Sequence, residues 1–430
     1  MCGLNLLIIR KLRDAQTSQT LCSAHRSRWP LLCEIDNKMR VAIENCIAVG
    51  GFGKVYRARV TSEPAGGLVA VKKSRMTCYA SMVKNPMLRH EACAMIELRG
   101  HPSIPEVYAW GCSKYYEYMV LELLGELVDG PLLTDEGLTL RNLVVLAWQM
   151  TDALEHLHAH NLVHCDIKPD SFLFSLDPAA GQIKLIDFGL ARPYRNPNTL
   201  QHVPPSTIPC VFGTKHYTSI DVQYHYGLCL CRLKGLSMLT FLDAAPSRRD
   251  DMESLAYTIV DLLCDDLPWG DPECPASEIL TLKQSWSGPA ICAGYPAVFG
   301  EFVDYTRSLA FEETPDYMGW KERFLAICPE ICGRPLYDPS DRGPKVGEPL
   351  WSDNAEIKSV RPKPTSLAQL ERSRLDAPVW QPESTWADTE EIDDKDLLGD
   401  EQRTVRERLQ RLEEPPACHW VVPGETIRAV

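Results

Sequence analysis

Three charged residues stand at spacings that suit the transfer of a phosphoryl group. Asp166 and Lys168 lie in His164-Cys-Asp-Ile-Lys168, a loop between two apolar runs, and Asp187 opens the motif Asp187-Phe-Gly189. Phosphoryl transfer needs a carboxylate that orients the attacking hydroxyl and accepts its proton, a cation near the moving phosphate, and a second carboxylate that holds magnesium. Asp166, Lys168 and Asp187 supply these groups in chain order, although each alone also suits a hydrogen-bonded loop carboxylate or a surface lysine.

A glycine stretch and a lysine nearer the N-terminus suit the phosphates of a nucleotide. Residues without Cβ in Gly50-Gly-Phe-Gly53 let backbone N–H groups approach phosphate oxygens. Lys72 ends the apolar stretch Val69-Ala-Val-Lys72, and Glu91 lies in the next predicted helix, so the pair is a candidate clamp for the α- and β-phosphates. Each feature alone has an ordinary alternative, a turn or a solvated surface charge. The ordered series as a whole favours the phosphate site.

By these motifs the sequence resembles the protein kinases and, among them, the casein kinase I group. Kinases of this group carry Ser-Arg-Arg-Asp-Asp and lack the Ala-Pro-Glu segment that most kinases have. The resemblance covers roughly residues 42–331. The motifs that carry it are Gly50-Gly-Phe-Gly-Lys-Val55, Val69-Ala-Val-Lys72, Leu123-Leu-Gly125, His164-Cys-Asp-Ile-Lys-Pro-Asp170, Lys184-Leu-Ile-Asp-Phe-Gly-Leu-Ala191, Gly213-Thr214 and Ser247-Arg-Arg-Asp-Asp251.

The resemblance implies roles for individual residues. Asp166 is the implied catalytic base, Lys168 steadies the transferred phosphate, and Asp187 with Ser171 is the implied metal site. ATP and Mg²⁺, or Mn²⁺, are the implied cofactors. The residues expected to contact ATP are Gly50, Gly51, Phe52, Gly53, Val55, Ala70, Lys72, Glu91, Leu121, Glu122 and Leu124.

Arg248 and Arg249 are expected to help recognise the substrate. A guanidinium matches phosphate geometry, so these residues would bind acidic or pre-phosphorylated residues beside the target hydroxyl. An equal alternative is a structural ion pair with Asp250 or Asp251.

Several features depart from the kinase pattern. Ser171 stands where the motif has an asparagine that helps hold a second magnesium, and a serine hydroxyl reaches a metal only through water, which predicts weaker metal binding. Cys165 replaces the arginine that pairs with a phosphorylated activation loop in many kinases, so this mode of switching is expected to be absent. Ala48 replaces the first glycine of the phosphate loop.

An apolar insertion near 228–244 also interrupts the pattern, close to the expected substrate site. It reads either as a partner-binding element or as a mis-predicted gene segment. The second is favoured, because exposed Leu and Phe runs invite aggregation.

Periodicity predicts the elements that position these residues. Strands are predicted at 55–60, 68–73, 116–123 and 183–186, and helices at 87–99 and 140–160. The predicted fold class is α+β, a bilobal protein kinase fold with a small strand-rich N-lobe and a larger helical C-lobe. The domain would span 42–331, with the N-lobe and hinge at 42–124 and the C-lobe at 125–331. An N-terminal extension of unknown order, 1–41, and an acidic, flexible tail, 332–430, would flank it.

Composition excludes several classes of protein. The 430 residues carry a formal charge of −13, which argues against nonspecific nucleic-acid binding. Seventeen cysteines without a Cys-x-x-Cys pair are expected to be reduced thiols in an intracellular protein of the cytoplasm, the nucleus or both. No window holds the roughly 18 apolar residues of a membrane span. The expected partners are protein substrates, with neither nucleic acid nor membrane, and the oligomeric state is left open.

Three functions fit this sequence. The first is a serine/threonine protein kinase of the casein kinase I type. The second is a pseudokinase that binds nucleotide or a partner without turnover, which the residues at positions 171 and 48 and the insertion favour. The third, transfer to a small molecule, fits less well because Ser247-Arg-Arg-Asp-Asp251 resembles the protein-directed group.

Overall fold

The structure is a computed structural model, and most of the predicted kinase region falls within the residues that it describes. These are residues 6–11, 38–50, 53–62, 66–75, 87–112, 116–133, 137–203, 213–224 and 246–347. A strand-rich N-terminal half is followed by a helical half, which is the α+β arrangement of a bilobal kinase domain. Gly51, Phe52 and the insertion at 228–244 lie outside the described residues.

The strand-rich half is a closed barrel with the strand order β1-β2-β3-β4-β6-β5. Its core forms because apolar residues alternate with polar ones: Ala58 and Val60 of β3 are buried, whereas Arg59 between them is exposed. Val41, Val71 and other small apolar residues fill the same core. The strands are β1 (Leu6–Lys11), β2 (Lys38–Gly50), β3 (Gly53–Val60), β4 (Leu68–Arg75), β5 (Val107–Cys112) and β6 (Tyr116–Glu122).

Strand β1 comes from the segment expected to be an extension of unknown order. It pairs with β2, where Leu6 is opposite Ala42, and with β5, where Arg10 is opposite Trp110. Its apolar residues form an unbroken run rather than an alternating pattern, so no strand period marks it. The barrel therefore begins well before the boundary predicted at residue 42.

The helical half is built around α2, whose apolar stripe packs against α3 and α7. Every predicted member of the stripe is buried: Leu143, Leu146, Met150, Leu154 and Leu157. Among the described helices, none is long and apolar enough to cross a bilayer. The helices are α1 (Met87–Glu97), which precedes this half, α2 (Leu140–Ala159), α3 (Arg248–Cys264), α4 (Ala276–Ser285), α5 (Gly288–Ile291), α6 (Ala297–Ser308) and α7 (Tyr317–Leu325).

Short strands, one before α2 and four between α2 and α3, hold the loops that carry the candidate site. Strands β7, β9 and β10 form one small sheet, and β8 pairs with β11. The strands predicted from the sequence match β3, β4, β6 and β10 within a few residues, and the predicted helices match α1 and α2. The short strands are β7 (Leu124–Leu127), β8 (Leu162–Val163), β9 (Phe172–Ser175), β10 (Ile183–Leu185) and β11 (Arg192–Pro193).

The packed part of the chain extends past the boundary predicted at residue 331. Asn142 of α2 accepts from the backbone N–H of Asp338 at 2.9 Å and donates to its carbonyl at 2.8 Å. Gln149 donates to the carbonyl of Pro335, and the N–H of Gly347 donates to Leu263. Hydrogen bonds to polar groups of the helices fix residues 332–347, so this segment needs no apolar core of its own.

Candidate active site

The loop that carries Asp166 is fixed by a buried carboxylate of α3. The two carboxylate oxygens of Asp251 accept from the backbone N–H groups of His164 and Cys165, at 2.6 and 2.9 Å. The ring of His158 lies 3.0 Å from the same carboxylate. Asp251 is 1% exposed, so these hydrogen bonds are shielded from water. The carboxylate holds Cys165 at a φ of 71°, a left-handed conformation that is uncommon for a residue with a side chain.

Asp166 and Lys168 meet at a third residue, Thr214. The hydroxyl of Thr214 donates to Oδ1 of Asp166 at 2.9 Å and accepts from Nζ of Lys168 at 3.0 Å. Lys168 also pairs directly with Oδ2 of Asp166 at 3.0 Å. Sequence reasoning recognised Thr214 only as part of a family motif. Its position after Gly213 in that motif was the available signal.

Gly213 is the residue that lets Thr214 approach the loop. Its φ is 85°, and a Cβ at this position would lie 2.6 Å from the carbonyl oxygen of Cys165. Only glycine combines this backbone conformation with so close a contact. Thr214 therefore reaches Asp166 because its neighbour has no side chain.

The candidate phosphate clamp is formed in the structure. Nζ of Lys72 lies 2.9 and 2.8 Å from the two carboxylate oxygens of Glu91, and 3.1 Å from Oδ1 of Asp187. Burial works to lower the pKa of Lys72, but the two carboxylates outweigh it and the pKa is raised. Burial raises the pKa of Glu91, although Lys72 opposes this effect. The lysine is thus a fixed cation between the α1 helix and the Asp187 loop.

Asp187 reaches the clamp through an unusual backbone conformation. Its φ is 67°, and the preceding carbonyl, of Ile186, lies 3.0 Å from the ring of His164. The left-handed conformation turns the chain sharply after β10, which brings Asp187 Oδ1 to Lys72. The structure therefore joins Asp187 to Lys72 and Glu91 in one cluster, while Asp166 and Lys168 form a second cluster with Thr214.

Ser171 is placed differently from the prediction. It is 1% exposed, and its hydroxyl donates to the backbone carbonyl of Asp166 at 2.8 Å. The hydroxyl stabilises the loop. A buried side chain does not present an oxygen to a metal beside the phosphates, so a divalent cation fits Asp187, whose side chain is partly open, but does not fit Ser171.

The residues expected around ATP lie along the barrel and at its exit. Gly50 and Gly53 face each other across the β2–β3 turn, and a Cβ on Gly53 would lie 2.2 Å from the carbonyl oxygen of Lys73. Val55 is opposite Lys72 in the β3–β4 pair, and Ala70 of β4 is buried. The expected contact of Gly51 and Phe52 with ATP stays a prediction, because both residues lie outside the described part of the chain.

The predicted hinge joins β6 to β7. Leu121 pairs with Val107 of β5, and Leu124 pairs with Ser175 of β9. The carboxylate of Glu122 accepts from Nζ of Lys184 at 3.1 Å, so this side chain ties the barrel to the helical half. Contact with an adenine at this hinge would therefore fall to backbone groups and apolar side chains.

Arg248 and Arg249 do not form the expected anion site. Arg248 is 7% exposed and donates to the hydroxyl of Tyr194 at 3.4 Å and to the carbonyl of Glu312 at 2.6 Å. Arg249 pairs with Asp221 at 2.6 Å. These contacts favour the alternative of a structural role, with Tyr194, Glu312 and Asp221 as partners in place of Asp250 or Asp251.

Comparison with known proteins agrees with this geometry. Residues 42–231 match the model of the protein kinase domain. Over 295 residues the chain is 33% identical to casein kinase I homolog 1 of Saccharomyces cerevisiae, an alignment that covers 66% of this chain and 50% of that protein. The chain thus spans about half the length of this curated relative. Residues 42–231 are thus similar to a protein kinase domain, and over the longer alignment the chain is similar to a casein kinase I homolog.

Proposed function

We propose that the chain is an ATP-dependent protein kinase that transfers the γ-phosphate to serine and threonine hydroxyls of proteins. The observation that carries the proposal is the contact of Asp166, Lys168 and Thr214. The carboxylate of Asp166 and the ammonium group of Lys168 both contact one hydroxyl, that of Thr214. The likeness to casein kinase I homolog 1 supports the choice of serine and threonine. We place the protein inside the cell, in the cytoplasm, the nucleus or both.

The roles of the chain's own residues follow from their contacts. Asp166 would accept the proton of the attacking hydroxyl while holding it in line, and Lys168 would offset charge on the moving phosphate. Thr214 fixes the positions of Asp166 and Lys168 relative to each other, because its hydroxyl contacts both side chains. Lys72 would neutralise the non-transferred phosphates, held there by Glu91.

A divalent cation, Mg²⁺ or Mn²⁺, would be held by Asp187 and would neutralise the phosphate oxygens when bound. The role predicted for Ser171 is not part of the proposal, because its hydroxyl is buried and bonded to Asp166. Magnesium sites in nucleotide enzymes use one or two carboxylates together with phosphate oxygens, so Asp187 is a sufficient protein ligand.

The substrates are proteins, and the expected preference for acidic or pre-phosphorylated sequences now lacks the residues on which it rested. Arg248 and Arg249 are engaged with Tyr194, Glu312 and Asp221. We therefore propose protein serine and threonine as acceptors, and transfer to acidic and to basic peptides measures the effect of the flanking charge.

A pseudokinase is the second candidate, and Ser171 is the observation that favours it. In place of the asparagine, Ser171 offers no second metal ligand, because its hydroxyl donates to the carbonyl of Asp166. Such a protein would bind nucleotide through Lys72 and Asp187 and act as a scaffold. Nucleotide binding without transfer would separate it from the kinase.

The test is transfer of labelled phosphate from ATP to serine and threonine peptides, acidic in one set and basic in another, with Mg²⁺ or Mn²⁺. Asp166→Ala is the control, because it removes the carboxylate that accepts the proton. Transfer that disappears in the control supports the kinase. Absence of transfer by protein that binds ATP supports the pseudokinase, and Ser171→Asn then tests whether this position is the cause.

A further inference from the structure

Glu117 is a buried carboxylate to which the proposed reaction assigns no role. It lies on β6 and is 2% exposed. Carboxylates resist burial unless they are paired or hydrogen-bonded, so the partners of Glu117 indicate what it does.

The partners are backbone N–H groups in the first turn of α1. Oε2 of Glu117 accepts from the N–H of Leu88 at 3.2 Å, and the N–H of Arg89 faces the same carboxylate. The first N–H groups of a helix have no partner within the helix, and the first turn of α1 has no acidic residue of its own. Glu117 supplies the missing acceptor from the neighbouring strand, where a negative charge also suits the helix dipole.

The first turn of α1 sets the position of the phosphate clamp. Glu91 follows Leu88 by three residues, which is less than one helical turn, and its carboxylate lies 2.8 Å from Nζ of Lys72. On the same turn, the ring of His90 lies 2.7 Å from the carbonyl of Ala191. A shift of this turn would therefore move Glu91 away from Lys72.

We propose that Glu117 is a positioning residue for nucleotide binding, which fixes the first turn of α1 so that Glu91 holds Lys72 at the phosphates. The inference rests on the proposed function and adds a residue that no motif marks.

The electrostatics of Glu117 reflect both its burial and its hydrogen bonds. Burial raises its pKa to about 7, while the N–H groups of Leu88 and Arg89, the indole of Trp110 and the charge of Arg89 hold the pKa down. A methionine would fill the same space without the cost of burying a carboxylate. What methionine lacks is the hydrogen-bond acceptor, and this difference provides the test.

The experiment measures ATP affinity by titration calorimetry, without any phosphate transfer. Glu117→Met keeps the length of the side chain but removes the acceptor, and we expect about 10-fold weaker ATP binding. Glu117→Gln is the matched control, because its amide oxygen still accepts from Leu88. Its ATP affinity should stay within about 2-fold of wild type.

The variant Glu91→Gln, used as a second starting protein, separates a role of Glu117 in positioning Glu91 from general destabilisation of the fold. In Glu91→Gln the clamp is already weakened, so adding Glu117→Met should change ATP affinity little further. Equal losses in both backgrounds would mean that Glu117 acts only on stability and would overturn the inference. So would wild-type affinity in Glu117→Met.

If Glu117→Met does not fold, Arg89→Pro decides. It removes one N–H donor in the first helical turn, where proline is tolerated, and should weaken ATP binding in the same direction. Unchanged affinity in this variant would overturn the inference. Wild-type protein that binds no ATP would instead overturn the proposed function.

Discussion

Two segments of the proposed active site are each held by one buried carboxylate that faces consecutive backbone N–H groups. On the helical side, Asp251 of α3 accepts from His164 and Cys165 and holds the loop of Asp166. On the barrel side, Glu117 of β6 accepts from Leu88 and holds the helix of Glu91.

The two anchors differ in what surrounds them. Asp251 has the ring of His158 at 3.0 Å in addition to its backbone donors. Burial raises the pKa of Glu117 to about 7, and the charge of Arg89 opposes this shift. A buried carboxylate thus serves a different task in each segment: loss of Asp251 should affect the chemical step, and loss of Glu117 should affect nucleotide affinity and its pH dependence.

Removal of the loop anchor should give the largest effect. Asp251→Ala leaves two backbone N–H groups without their acceptor, and we expect the free energy of unfolding to fall by about 3–5 kcal/mol. The turnover number should fall as well, while ATP affinity of the folded fraction changes little because Lys72 and Glu91 are untouched. Urea denaturation, turnover and ATP titration measure the three quantities. Weaker ATP binding with a normal turnover number would contradict the assignment of Asp251 to the chemical step.

A change at Thr214 should give the next largest effect, on the chemical step alone, because it leaves Asp251 in place. Thr214→Val removes the hydroxyl that contacts Asp166 and Lys168 but keeps the shape of the side chain. We expect the turnover number to fall about 10²-fold, since misplacement of a catalytic group has costs of this size. Thr214→Ser keeps the hydroxyl and is the control. Equal turnover in both variants would show that the contact has no catalytic role.

The pH dependence of stability separates the barrel anchor from the loop anchor. The pKa of Glu117 rises from the ordinary 4.5 to about 7 in the folded protein. Between these values the folded state keeps a proton that the unfolded chain has lost. The contribution of Glu117 to stability is therefore full below the ordinary value and is lost as the pH rises through about 7.

Glu117→Gln makes this contribution independent of pH. Relative to the variant, the wild type should lose on the order of 2–3 kcal/mol of unfolding free energy from about pH 4.5 to about pH 8. Urea denaturation of both proteins across this range measures the difference. Parallel stability curves would contradict the assignment of the raised pKa to Glu117.

The smallest effect is expected outside both anchors. Arg249 pairs with Asp221, whose side chain is 51% exposed. Such pairs contribute about 0.2–1 kcal/mol, so Arg249→Gln should change stability little and leave the ratio of turnover on acidic and basic peptides unchanged. Asp221→Asn should behave in the same way. A loss confined to acidic peptides would restore Arg249 as a substrate contact.

The sequence marks the residues of the proposed reaction more clearly than the residues that hold them. Asp166, Lys168 and Asp187 stand in contiguous motifs, so their types and spacing are sufficient to propose their roles. The partners of Glu117 are backbone N–H groups, which no pattern of side chains records. Arg248 lies under Tyr194, and a contact between such distant segments depends on the packing of α3.

Transfer of phosphate in a single turnover tests the central claim most directly. Wild type and Asp166→Asn are each saturated with ATP and a divalent cation and mixed with a serine peptide, and nucleotide affinity is measured on the same samples. We expect equal ATP affinity and a transfer rate at least about 10²-fold lower in the variant. Equal rates in the two proteins, or no transfer by ATP-bound wild type, would contradict it.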